Sequence, residues 1–307
     1  MAAAIAVLVA VVFAPDPDPD SRSRIELHDF GHVPAFGLVA LAILVLVPVR
    51  LEATTWRRAA RPAVALAGAA LLGVLVEIAQ SRFPGGRTGL RDVAADVAGA
   101  AAAVLAEEAI RTAVGRTRRG LLLASAGALV AAFLAPTAMA LVEEARARRS
   151  FPVLADFTSS AQLGRFEGSA NSRLSLERSV LPDGRIAPAL RLHLDPGRYP
   201  GMVLRHFPRD WRGWRGVAVT VVNPSADPFP LHVRIDDIGH GATYEDRYND
   251  LVSVPPGRSV IEIPLSAVES APRGRRMNLA AVRFVVLFAV DLREPRDLLF
   301  EDIRLVR

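Results

Sequence analysis

Long apolar runs almost free of charge fill the first half of the chain, and short alternating runs fill the second. Val33–Val49, Ala63–Ile78, Val93–Ile110 and Gly120–Val142 reach or approach the roughly 20 residues that a helix needs to cross a hydrocarbon core of about 30 Å. A fifth run, Ala2–Ala14, is shorter and lacks the basic segment of an ordinary signal peptide, so we read it as a first span. From Phe151 onward the period changes. Ala189–Leu194, Gly216–Val222, Leu231–Asp236, Ser259–Pro264, Val282–Ala289 and Leu298–Val306 are short, β-branched or alternating. Turn-forming clusters separate them, including Pro182-Asp183-Gly184, Asn223-Pro224 and Pro255-Pro256-Gly257. The pattern predicts an α-helical transmembrane bundle of four to five spans over residues 1–149. An all-β jelly-roll sandwich of eight or nine strands follows over residues 150–307.

Composition sharpens the division. Over 307 residues, 51% are hydrophobic and 22% charged. The three tyrosines (Tyr199, Tyr244, Tyr248) and two of the three tryptophans lie after residue 150. A single soluble globule and a disordered chain are both excluded. Without cysteine there is no disulfide framework, thiol nucleophile or cysteine zinc site. Every basic residue is arginine, the net charge is a modest +5, and no recognition motif or basic stripe points to nucleic acid.

Arginine placement orients the bundle. The Arg50–Arg61 connection carries four arginines against Glu52, and Arg111–Arg119 carries four and no acid. Pro15–Asp29 instead carries five acids against Arg22 and Arg24. Short arginine-rich loops stay in the cytoplasm. The expectation is a multi-pass protein of the cell membrane with its partner the lipid bilayer and its C-terminal domain extracytoplasmic. Ser81–Arg91, with three arginines on the outer side, runs against this count.

Ionisable groups in or near a span are costly and call for a reason. They cluster at the outer end: His28-Asp29-Phe30-Gly31-His32, then Glu77 and Gln80, then Arg87, then Asp92 and Asp96. Glu77 and Gln80 are three apart and share a helix face, as do Asp92 and Asp96 at four apart. Arg87, returned by the turn Pro84-Gly85-Gly86, is the natural partner of the carboxylates. Interfacial snorkelling and helix capping account for any one of these residues; their convergence points to a shared site.

The pattern Asp29-x-x-His32-x-x-x-Phe36, Glu77-x-x-Gln80, Pro84-Gly85-Gly86-Arg87, Asp92 and Asp96 resembles the VanZ-like family of small polytopic membrane proteins, over about residues 25–110. Phe30 stands where that family often has Lys, the Asp–His spacing is three rather than four, and Asp96 replaces a favoured Asn. The family is associated with glycopeptide resistance, and the resemblance implies a cell-envelope role without naming a reaction.

In the second half, Asp236-Asp237-Ile238-Gly239-His240 to Tyr244-Glu245-Asp246-Arg247-Tyr248-Asn249, and the closing Leu299–Leu305 run, resemble galactose-binding-like jelly rolls of carbohydrate-binding modules. Sugars stack on aromatic faces and are oriented by placed polar groups. Tyr199, Trp211, Trp214, Tyr244 and Tyr248 are the available platforms, with His240, Asp246, Arg247 and Asn249 as polar candidates. Core packing for the tryptophans and a loop ion pair for Asp246-Arg247 are the plainer alternatives. Asp236, Asp237, Asp246 and Asp250 offer oxygen to a hard cation, but no EF-hand spacing exists, and neither metal nor cofactor is expected.

Two functions compete. The first is a non-enzymatic envelope protein whose jelly roll binds envelope glycan or a peptidoglycan-related ligand. The second is a membrane enzyme in which His32, Glu77, Arg87 and Asp92 work on a lipid-linked envelope precursor. No Gly-rich phosphate loop, Gly-x-Ser-x-Gly elbow or His-Glu-x-x-His motif favours the enzyme.

Overall fold

A computed structural model describes residues 21–46, 55–82, 89–111, 115–180, 184 and 186–307. The expected span Ala2–Ala14, the turn Pro84-Gly85-Gly86 and Arg87 lie outside the described residues. The chain divides into two compact units, Met1–Leu141 and Val142–Arg307.

The first unit is built from helices α1 (Arg22–Leu46), α2 (Thr55–Gln80), α3 (Leu90–Arg111) and most of α4 (Arg116–Ser150). Among the described residues, three helical stretches are long and apolar enough to cross a membrane: Arg22–Leu46, Ala60–Gln80 and Arg116–Ser150. At 1.5 Å per residue, 25 residues give about 37 Å, enough for the hydrocarbon core. The expected span Val93–Ile110 does form a helix, α3, but Arg91, Asp92, Asp96, Glu107, Glu108 and Arg111 leave it no charge-poor stretch as long as those in the other three. Its small residues pack instead: Ala95, Ala98, Gly99, Ala100 and Ala102 are buried. A Cβ at Gly99 would overlap the Val33 carbonyl of α1, so this glycine lets the two backbones touch. Much of the outward surface is apolar, with Leu71, Leu75, Leu121 and Met139 all exposed.

Polar side chains close the helix ends. Arg61 is buried and donates from Nε and Nη2 to the Leu44 carbonyl (3.1 and 2.8 Å), one of the last four carbonyls of α1, which have no donor within the helix. Its Nη1 donates to Glu107 at 2.8 Å. Arg119 Nε caps the Ala109 carbonyl of α3 in the same way, at 2.8 Å.

The second unit is a sandwich of eleven strands among the described residues, more than the eight or nine expected. One sheet runs β3 (Ser172–Val180), β4 (Ile186–Leu194), β11 (Arg296–Val306), β6 (Gly216–Asn223), β9 (Gly257–Pro264), with β1 (Val153–Ala155) also on β11. The other runs β2 (Phe166–Gly168), β5 (Gly201–Leu204), β10 (Val282–Phe288), β7 (Phe229–Asp237), β8 (Tyr248–Val254). From β4 to β11 every connection except the β7–β8 hairpin passes from one sheet to the other, and all pairings are antiparallel. That eight-strand order is a jelly roll; β1, β2 and β3 extend it.

Alternation fixes the core. Leu190, Leu192 and Leu194 of β4 meet Leu231, Val233 and Ile235 of β7 and Val285 and Leu287 of β10 in one buried cluster. Full burial of each such side chain contributes about 1.5–3 kcal/mol. In β11 the period slips at a bulge between Phe300 and Asp302, which lets both Phe300 and Ile303 face inward. Trp211 is completely buried within the cluster, against Phe207. The last turns of α4 join this unit through Glu143, which accepts from Arg165 Nε and Nη2 at 3.0 and 2.7 Å in a buried ion pair.

Candidate functional site

Because β7 and β10 bury alternate residues, the remaining alternate residues form rows across the outer face of the five-stranded sheet. One row runs Gly201 (β5), Phe288 (β10), His232 (β7), Leu251 (β8). The next runs Glu167 (β2), Val203, Val286, Arg234, Asn249. Together they floor a groove of about 790 Å³ that reaches all five strands. Four inter-strand steps of about 4.8 Å make it about 19 Å across. The volume is that of a ligand cleft rather than a surface dimple.

Its walls are amphipathic. At one end the His232 and Phe288 rings stack 5.2 Å apart, and Tyr199 meets Phe288 edge to face at 6.2 Å. Gly201 has no side chain, and a Cβ there would overlap Phe288 and the Leu287 carbonyl. At the other end stand Tyr244, Arg247 and Asn249. Tyr199 and Tyr244 are more than half exposed, with the guanidiniums of Arg198 and Arg247 lying 5.2 and 5.4 Å from their ring centres. Arg205 lies over the Phe284 ring at 4.9 Å and pairs with Glu167 at 2.7 Å.

Beneath the second end lies a network that holds it in shape. Arg234 binds the fully buried Asp236 through Nε and Nη2, the shortest contact being 2.6 Å. Arg234 Nη2 also donates to His240 Nε2 at 3.3 Å, so His240 Nδ1 carries the proton and donates to the Asp246 carbonyl at 3.0 Å. Arg275 grips Asp237 with both terminal nitrogens and Asp246 with Nε. These contacts, with the Asn278 amide on Asp237, hold both carboxyls below the usual carboxylate range; burial of Asp237 opposes the shift and loses to them. Three of the four aspartates weighed as cation ligands are therefore matched to arginines. The fourth, Asp250, accepts from Tyr248 Oη at 2.9 Å, and burial with that neighbour raises the Tyr248 pKa.

The sequence candidates separate accordingly. Tyr244 and Arg247 line the groove. His240 and Asp246 lie under its rim as supports. Tyr248 is buried, with its ring in the core. Trp211 has no exposed face, and its Nε1 donates to the Pro208 carbonyl at 3.1 Å. Trp214 packs edge-on against Phe151 at 5.7 Å, with Arg307 over it, away from the groove. Sequence reasoning missed His232, Phe288, Arg205, Arg234 and the anchoring Arg275. The alternation Leu231-His232-Val233-Arg234-Ile235 carried a signal for two of them.

In the helical unit, His32 Nδ1 and Asp96 Oδ1 are 2.9 Å apart and buried, and His32 stacks on Phe36. Glu77 Oε2 accepts the Gly89 amide at 3.1 Å. Asp96 Oδ2 and Glu77 Oε1 are buried without a hydrogen-bond partner among the described residues. Gln80 is buried near the same end, and Asp92 is half-buried at the start of α3. Asp29 is not with His32: it and Glu26 pair with Arg91, at 3.4 and 2.6 Å. Arg91, one of the three arginines that ran against the orientation count, is thus neutralised locally.

No protein-family model and no curated protein matches the chain. The VanZ-like resemblance over about residues 25–110 is therefore not supported by any family model. Among solved structures, the chain is similar to an exo-beta-agarase at 15% identity and TM-score 0.42, over 50% of this chain and 24% of the agarase. It thus spans about a quarter of that enzyme's length. It is also similar to a family 11 carbohydrate-binding module from Clostridium thermocellum, in complex with a beta-1,3-1,4-mixed-linked tetrasaccharide. That match has 15% identity and TM-score 0.37, over 50% of this chain and 94% of the module. A family 30 carbohydrate-binding module of a Clostridium thermocellum cellulosomal cellulase follows at 16% and 0.33, over 46% and 86%. The strand order, rather than these partial overlaps, defines the fold here.

Proposed function

We propose that this chain is a multi-pass membrane protein of the cell envelope whose sandwich, outside the cytoplasm, binds a glycan without transforming it. The observation that carries the reading is the groove: exposed Tyr199 and Tyr244 rings at opposite ends of a cleft whose floor alternates aromatic, aliphatic and hydrogen-bonding side chains. A sugar presents a C–H face to rings and hydroxyls to Arg, Asn and His, so the lining suits it on both counts. The apolar outward surface of the helices and the arginines at 116, 118 and 119 support the membrane part and its orientation. Tethering confines the sandwich near the wall and raises its effective concentration there. The test is hydrogen exchange on the detergent-solubilised chain with and without envelope polysaccharide. Protection should appear in β5, β7, β8 and β10; protection elsewhere, or none with any envelope glycan, would reject the reading.

A second reading has one observation in its favour: buried carboxylate oxygens of Asp96 and Glu77 left without partners beside His32. Such groups suit a site acting on a lipid-linked envelope precursor, with the VanZ-like resemblance implying an envelope setting. Under that reading Asp96→Asn abolishes turnover of such a precursor with the bundle intact. Under the first reading it leaves glycan binding unchanged.

A further inference from the structure

The cations of the groove are not equally matched. Arg205 is held by Glu167 and Arg234 by Asp236, each at 2.7 Å or less. Arg247 is different. Its Nε donates to Asn249 Oδ1 at 3.1 Å and its guanidinium lies 5.4 Å from the Tyr244 ring centre. Among the described residues no carboxylate ion-pairs with it, and its two terminal nitrogens have no acceptor. Asp250, at the exposed rim, takes the Tyr248 hydroxyl and the Leu251 amide and makes no ion pair with Arg247. Burial, then repulsion from Arg234, lowers the Arg247 pKa. A half-buried guanidinium has been fixed by an amide and a ring, and its forked donors remain open toward a ligand cleft.

We infer that the groove takes an anionic saccharide, whose carboxylate or phosphate substituent is bound by the terminal nitrogens of Arg247 while a sugar face packs on Tyr244. A planar fork matches either oxyanion with two parallel hydrogen bonds, and both chemistries share that geometry. Next to an aromatic wall the pair is partly shielded from water, which strengthens it over an exposed contact. The inference rests on the glycan-binding reading and narrows its ligand class.

The experiment uses the full chain in detergent against three probes: a polyuronate oligosaccharide, a sugar-bearing poly(glycerol phosphate), and a neutral mixed-linkage β-glucan. Because the chain carries +5, any polyanion gains some unspecific attraction. Arg178→Gln, an exposed arginine on β3 of the opposite sheet, therefore serves as the charge-matched control. At least one anionic probe should bind ten times more tightly than the neutral glucan. Arg247→Gln should lose about tenfold on that probe and much less on the neutral glucan, Arg247→Lys should fall between, and Arg178→Gln should match the parent. Preference for the polyuronate or the phosphate polymer identifies the substituent. Neutral glucan bound as tightly as both anionic probes, or equal losses in Arg247→Gln and Arg178→Gln, would overturn the inference and leave the glycan reading standing. Failure of all three probes would overturn both.

Discussion

Arg275 and Asp237 are joined by two parallel hydrogen bonds, Nη1 to Oδ2 at 2.6 Å and Nη2 to Oδ1 at 2.8 Å, on a carboxylate with no exposed surface. The third nitrogen, Nε, reaches Asp246. One guanidinium thereby ties the end of β7 to the segment that carries Tyr244 and Arg247. The groove's far wall is tied to β7 by Arg275, Asp237 and Asp246, none of which lines the groove.

Removing that tie leaves the Asp237 charge buried and opposed only by the Asn278 amide. Arg275→Gln should cost the sandwich about 2–3 kcal/mol. It should also weaken glycan binding further than the stability loss explains, because the wall loses its anchor. Denaturant unfolding of the solubilised chain, followed by tryptophan emission alongside glycan affinity, separates the two effects.

The same pair sets a pH dependence. The Asp237 and Asp246 pKa values are lowered in the folded state. Their contribution is then full above the unfolded carboxylate value of about 4 and is lost as pH falls through the lowered folded values. The stability gap between the parent and Arg275→Gln should narrow as pH falls, beginning where the buried, unpaired Asp237 of the variant takes up its proton and ending below the lowered values of the parent. A gap independent of pH down to 2 would show that the carboxylates do not carry it.

Much of the sandwich was legible because its long strands alternate: six of the eleven strands coincide with runs marked by β-branched residues and bounded by turn signals. The rest were hidden for physical reasons. β1, β2 and β5 have three or four residues, too few to show a period. β3 and β8 are edge strands with polar outer positions, so Ser172–Val180 and Tyr248–Val254 carry no clear alternation and are not among the expected strands. The site was half legible. Tyr244 and Arg247 stood out among turn residues, whereas Phe288 ends an apolar run and only the sheet register shows that it faces outward. Trp211, set between Arg209-Asp210 and Arg212-Gly213, leaves platform and core both open in the sequence, and its ring lies in the core.

Trp211 therefore gives a clean contrast with the groove rings. Trp211→Ala should destabilise the sandwich by about 3–5 kcal/mol. Trp211→Phe, which keeps most of the buried area, should retain full glycan affinity. Affinity lost in Trp211→Phe at unchanged stability would place the ligand elsewhere.

In the helical unit, Gly99→Leu should separate α1 from α3, since even a Cβ there meets the Val33 carbonyl, whereas Gly127→Leu has open space. Thermal unfolding of helical circular dichroism in detergent should fall sharply for the first and stay unchanged for the second. Equal behaviour would mean that the α1–α3 contact does not hold the bundle.

The orientation is open to a direct check. A reporter active only outside the cytoplasm, fused after Arg307 in intact cells, should be active. An inactive but expressed fusion would place the sandwich in the cytoplasm and remove the envelope-glycan reading.

The most direct measurement is retention of the solubilised chain on immobilised envelope polysaccharide, compared with the double variant Tyr199→Ala/Tyr244→Ala. Both rings are largely exposed, so the substitutions should leave the melting temperature unchanged. A loss of tenfold or more corresponds to about 1.4 kcal/mol or more, shared between the two rings. The parent should be retained and the double variant should not, at equal stability. Retention that survives the loss of both rings would contradict glycan binding in the groove.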